Sequence, residues 1–181
     1  MMTTQDNILL KSAIKMRHEK EFKASNRILK KLDAKYPLNA NIQYQYAWSF
    51  DILGQEREAV PHYYAAIDNN GLESVDLENA YLGLGSTLRS IGSYDESLDI
   101  LSKGTELFPT NNALKVFKGM TLYNLKRFKE SSTILLQCLI ETSEDTDIKS
   151  YAKALGLYSQ DLDHARILKI RTALFLGHNP R

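Results

Sequence analysis

Cysteine is nearly absent: Cys138 is the only one in 181 residues, so no disulfide can close within the chain and nothing points to an oxidising compartment. Cys138 sits at an inward helical offset and is read as a buried structural thiol. Nowhere do 18 apolar residues run together, and the start, MMTTQDNILLK, lacks a basic segment followed by an apolar one. Neither membrane insertion nor secretion is indicated, and a cytoplasmic protein is the expectation. Net charge is also nearly absent, at +1. The four histidines, His18, His62, His164 and His178, have no His or Cys partner at ligand spacing, so neither a metal nor a cofactor is expected. Gly83-Leu84-Gly85 has no strand before it and Leu88 where a dinucleotide loop needs a third glycine; no serine stands on a strand-to-helix turn. The residues argue against an enzyme.

What the chain does have is repetition. Windows starting at Asp6, Ala40, Glu78 and Asn112 place like side chains at like offsets, at a period of 34 with four extra residues in the second window, which are assigned to a loop. That period is the mark of stacked helical hairpins, each burying its apolar face against the next. Offset 8 carries Ala13, Ala47, Gly85 and Gly119, and offset 20 carries Ser25, Ala59, Ser97 and Ser131. Both sets are small because the two helices of a hairpin approach closely there. Offset 17 carries Phe22, Tyr94 and Phe128, read as filling the hollow, and offset 24 carries Leu29, Tyr63, Leu101 and Leu135. Pro37 and Pro109 stop two of the second helices, and Asn69, Asn70 and Gly71 end another.

These residues resemble the tetratricopeptide repeat (TPR) family. The match is best from Ala47 to Glu141, and within it the third unit matches the family consensus with Tyr81, Leu84, Gly85, Leu88, Ser97, Leu101, Gly104 and Pro109. The first unit fits more loosely. The resemblance implies an all-α, right-handed superhelical solenoid of antiparallel helix hairpins, and a role in protein or peptide binding.

On the residues, one domain spans 1–181, with repeats at about 6–39, 40–77, 78–111 and 112–145 and C-terminal helices or a cap over 146–177, about five helix pairs in all. Helices are expected near Gln5 to Lys20, Phe22 to Tyr36, Ala40 to Leu53, Glu56 to Asp68, Leu77 to Ile91, Ser93 to Phe108, Asn111 to Leu125, Phe128 to Thr142 and Thr146 to Tyr158. A capping helix is expected from about Leu162 to Leu176. At 43% hydrophobic residues the chain can build a continuous core without staples.

In this architecture the first helix of each hairpin lines a concave groove. The offsets facing it hold Leu10, Ile14, Asn41, Tyr44, Trp48, Asp51, Leu82, Arg89, Val116, Met120 and Tyr123, an apolar and aromatic set with a few charges. Exposed rings anchor partners well, although Tyr44 and Trp48 can also simply pack on neighbouring helices. The reading is a non-catalytic interaction module, a scaffold or adaptor that binds a peptide or amphipathic helix in this groove. The Lys and Asn clamp with which some family members hold chaperone tails is missing at the matching offsets. The alternative is structural self-association as a homo-oligomer, through the C-terminal helix or the basic first hairpin. Residues 1–36 hold nine Lys or Arg against four Asp or Glu, and 37–160 hold ten against sixteen. Lys23, Arg27, Lys30 and Lys31 recur at helical spacing; a solvated face is the simplest reading, and nucleic-acid binding lacks a domain basic overall.

Overall fold

Side-chain caps set where most of the inner helices begin. Thr3, Asn39, Asn111 and Asp145 each accept a hydrogen bond from a backbone amide in the first turn that follows. The bonds satisfy N–H groups that a helix start leaves without partners. The computed structural model describes residues 2–163. Among them the helices are α1 Thr4–His18, α2 Phe22–Lys35, α3 Ala40–Ile52, α4 Glu56–Asp68, α5 Ser74–Ser90, α6 Tyr94–Leu107, α7 Asn112–Asn124, α8 Phe128–Thr142 and α9 Thr146–Gln160, with no strand among the described residues. Of the capping helix expected from about Leu162 to Leu176, Leu162 and Asp163 lie in a turn and residues 164–176 are outside the described residues.

The two helices of each hairpin are joined through one left-handed residue. Lys20, Gly54, Gly92 and Lys126 have φ of 66°, 69°, 86° and 61°, and they recur at the same intervals as the repeat starts. Two of the four are lysines, which bear a cost of about 1 kcal/mol in that conformation. The four extra residues do not form a loop. They add a turn to the start of α5, which has 17 residues where α3 and α7 have 13. Ser74-Val75-Asp76-Leu77 contains no helix breaker, and Asp76 is favourable at a positive helix end.

Each helix packs on the next in sequence, and α1, α3, α5 and α7 also touch one another in order, whereas no such contact joins α2, α4, α6 and α8. A row of hairpins touching through one set of helices only must curve toward that set. The odd helices therefore form the inner face. Within each hairpin the small residues act as sockets. Leu101 is fully buried, and a Cβ added to Gly85 would stand 2.5 Å from its Cγ; one on Gly119 would stand 2.9 Å from Leu135 Cγ. The small residues at offset 20 do more than make room. Ser25, Ser97 and Ser131 donate hydroxyl hydrogen bonds of 2.8, 2.7 and 2.7 Å to the backbone carbonyls of Ala13, Gly85 and Gly119. Among the large residues read as filling the hollow, Phe22 and Tyr94 are half-buried, but Phe128 is 52% exposed and leans on Tyr123.

Asp6 ties the start of α1 to the end of α2. Its carboxylate accepts from Lys35 Nζ at 2.6 Å, Thr3 Oγ1 at 2.5 Å and Tyr36 Oη at 2.6 Å. These donors, Lys35 foremost, hold its pKa well below the usual carboxylate range. A carboxyl whose folded pKa is depressed stabilises the fold above its unfolded pKa and loses that contribution as pH falls. Asp6→Asn is thus expected to lower Tm at pH 7, with the gap to wild type closing as pH falls below about 4; parallel melting curves across the pH series check it.

Candidate functional site

The inner face is built where α1, α3 and α5 meet. Arg17 projects from the last turn of α1 and lays its guanidinium 3.7 Å from the centre of the Trp48 ring on α3. Its Nη2 donates to Gln45 Oε1 at 2.5 Å, and its Nη1 lies 3.4 Å from the Gln45 carbonyl oxygen. Arg17 is only 5% exposed, yet among the described residues no carboxylate lies within ion-pair distance of it. Burial pulls the guanidinium pKa down, while Tyr44, Tyr63 and Asp76 pull it back up. Asp76 comes from the extra turn of α5 and feels Arg17 without pairing with it. Burial and Glu73 push its pKa up, and Arg17 pulls it down.

A second cluster continues the floor. Tyr63 of α4 donates to Asp51 Oδ2 at 2.7 Å, and Thr87 of α5 donates to the same carboxylate at 2.9 and 3.0 Å. Burial still raises the Asp51 pKa, against the pull of both donors. Tyr44 lies between the clusters, its ring 5.9 Å from Trp48 and 6.4 Å from Tyr63. Burial, with Asp76, pushes its phenol pKa up to about 12.

The residues expected to face a groove divide into two groups. Leu10 and Tyr44 are core, at 8% and 3% exposure. Leu10 packs with Ala13, Leu29 and Ile42, and Tyr44 packs with Ala80 and Leu84, so in the first two units the following hairpin covers offset 5. They cannot serve as exposed anchors. Asp51 is likewise committed to Tyr63 and Thr87. Ile14, Trp48, Leu82, Val116 and Met120 remain partly open, and Tyr123 is 62% exposed. Asn41 Oδ1, Arg89 Nε and Asn124 Oδ1 are shielded from water and have no hydrogen-bond partner among the described residues. All three are on odd helices. Arg17 had a signal in the sequence, since offset 12 is charged in three units as Arg17, Asp51 and Arg89. Gln45, which holds Arg17 in place, stands at an offset that no periodicity marks, whereas Thr87, which holds Asp51, shares offset 10 with Ser49 and Thr121.

The family model described as Tetratrico peptide repeat matches residues 40–163. The chain belongs to the tetratricopeptide repeat family. The matched region starts at α3, so the loosely fitting first hairpin stands outside it. Solved TPR proteins share the fold. MamA 41-end from Desulfovibrio magneticus RS-1 is 12% identical, covering 99% of this chain and 100% of that one, at a TM-score of 0.71. YrrB, described as a TPR protein with an unusual peptide-binding site, is 19% identical, covering 78% and 71%, at 0.65. TTC0263, a thermophilic TPR protein in Thermus thermophilus, is 16% identical, covering 96% and 100%, at 0.54. No curated protein matches the chain. Such identities establish a TPR solenoid, a fold that serves as a scaffold for protein–protein interaction. No helix among the described residues is long and apolar enough to cross a membrane.

Proposed function

We propose that this TPR solenoid is a non-catalytic adaptor that holds a peptide or a short amphipathic helix along its inner face. The observation that carries the reading is Trp48, a partly open ring on the inner face that Arg17 braces at 3.7 Å. A partly open ring of this kind gives a ligand a large contact area at low entropic cost. Trp48, Leu82, Met120 and Tyr123 offer apolar contact along the same face. YrrB supports the reading to the extent that its fold is known with a peptide-binding site. A cytoplasmic setting belongs to the same proposal and is supported by the single, buried thiol of Cys138.

Trp48 is the only tryptophan, so its emission reports directly on the inner face. Peptides selected from a displayed random library against the whole chain are expected to shift that emission. Labelled copies, followed by anisotropy, are expected to bind Trp48→Ala and Arg17→Gln about 30-fold more weakly, the scale of a central interface residue. Selected peptides that bind both variants as tightly as wild type would place the binding face elsewhere.

A further inference from the structure

The first hairpin carries a second surface, on the side of the array facing away from α3. Offsets 11 and 23 are where one hairpin meets the hairpin before it. In the second unit these positions are Phe50 and His62, whose rings stack 5.5 Å apart, and Phe50 packs into the cluster of Leu29 and Leu32 from α2. In the third they are Leu88 and Ile100, buried in the cluster that also holds Tyr44 and Ala59 from the hairpin before. In the fourth, Leu122 is 1% exposed. The same offsets in the first unit are Met16 and Ile28, which stay partly exposed, Ile28 packing against the cluster of Leu29 and Leu32. They line instead an open groove of about 700 Å³ with Ala24 as further floor and Arg27, Lys30 and Lys31 along its rim. The repeat thus presents, at its leading edge, a slot shaped for helices.

The rim sets the sign of what can enter. Lys23, Arg27, Lys30 and Lys31 are all exposed, and among the described residues none is in an ion pair; Lys35 alone on α2 has a carboxylate, Asp6. As a set Arg27, Lys30 and Lys31 do not belong to the repeat pattern, and of the three only Lys31 has a counterpart, Lys103 in the third unit. At the offsets of Arg27, Lys30 and Lys31 the second unit has Pro61, Tyr64 and Ala65, and the fourth has Thr133, Leu136 and Gln137. The chain's own residues 164–181 hold four Lys or Arg and no Asp or Glu, the wrong charge to fill it.

We infer that the leading face of α1 and α2 docks an acidic amphipathic helix of another protein, its apolar stripe on Met16, Ala24 and Ile28 and its carboxylates on Arg27, Lys30 and Lys31. The mode is a helix laid in a groove, read at i, i+3, i+4 and i+7, with paired charges fixing orientation. The site lies away from the inner face, so one module can hold two partners at once.

The test uses the whole chain and a labelled, helix-forming peptide of about 18 residues, five turns, with a leucine stripe flanked by glutamates. Two companions replace its glutamates by lysine or its leucines by serine. The glutamate–leucine peptide alone is expected to bind. Lys30→Glu with Lys31→Glu, an exposed pair, is expected to weaken it by about 10-fold or more and to restore binding of the lysine companion. Ile28→Gln is expected to weaken it at unchanged salt dependence, and Trp48→Ala is expected to leave it unchanged. Equal binding of the serine companion would overturn the inference in favour of charge alone, as would tighter binding of duplex DNA. Absence of binding would overturn it outright. A salt-sensitive dimer of the chain itself, abolished by the same charge reversal, would overturn it in favour of a second copy.

Discussion

Gly85→Ala is expected to destabilise the chain by about 1–3 kcal/mol, the usual range for forcing a methyl into a filled core. Helix propensity acts the other way, since alanine inside a helix is better than glycine by about 1 kcal/mol. Packing wins because the new Cβ would stand 2.5 Å from Leu101 Cγ and Cδ2, and the Cγ cannot swing away as a side-chain tip can. Leu101→Ala alone is expected to cost about 2–5 kcal/mol as a buried leucine truncated to leave a cavity. The two changes should not add. Once Leu101 is truncated, the methyl introduced by Gly85→Ala enters vacated space, and combining the two is expected to be neutral relative to Leu101→Ala or to recover up to about 1 kcal/mol. Urea melts of the four proteins in this cycle give the coupling directly. Additive costs would mean that the socket at offset 8 is not filled by offset 24, and the stacking rule drawn from the repeat would fall with it.

Tyr63→Phe is expected to cost about 1.5–3 kcal/mol at neutral pH, because it removes a hydrogen bond to a carboxylate that solvent reaches poorly. The effect has a pH signature. Asp51 already has its pKa raised by burial, and Tyr63 is one of two donors that hold it down. Without Tyr63 the folded pKa rises further above the unfolded one. A group with a raised folded pKa contributes its stability below the unfolded value and loses it as pH rises through the folded value. The deficit of Tyr63→Phe should therefore be small in acid and widen above about pH 4. Tm differences measured from acid to neutral pH distinguish this from simple loss of packing, which would be flat with pH.

The fold was legible because its rule is local and repeated. Small residues at offsets 8 and 20 and large ones at offset 24 announce the hairpin whatever surrounds them, and α4 and α8 begin and end at the residues the pattern marks. The start of α5 was less legible, since Ser74 to Leu77 fall outside the repeat and only the local absence of a breaker carries them into the helix. The inner face was legible as a set of positions but not as a set of exposures. Tyr44 and Trp48 are one helical turn apart, both aromatic, and only packing against the next hairpin sends the first into the core. The polar contacts were least legible. Arg17 finds Gln45 28 positions away, and Thr87 reaches Asp51 across 36, and a repeat marks positions without saying which polar side chains pair between units.

The added turn of α5 breaks the equivalence of the inner helices. A trough made of identical units offers a bound chain several interchangeable frames, one unit apart, and so cannot tell a ligand from the same ligand shifted along it. Here the row of helix starts has a single step, and Asp76 on that step lies close enough to Arg17 for each to shift the other's charge. On the binding mode proposed above, a ligand threaded along the face would meet this step at only one place, so a solenoid built by repetition would still read it in a single frame.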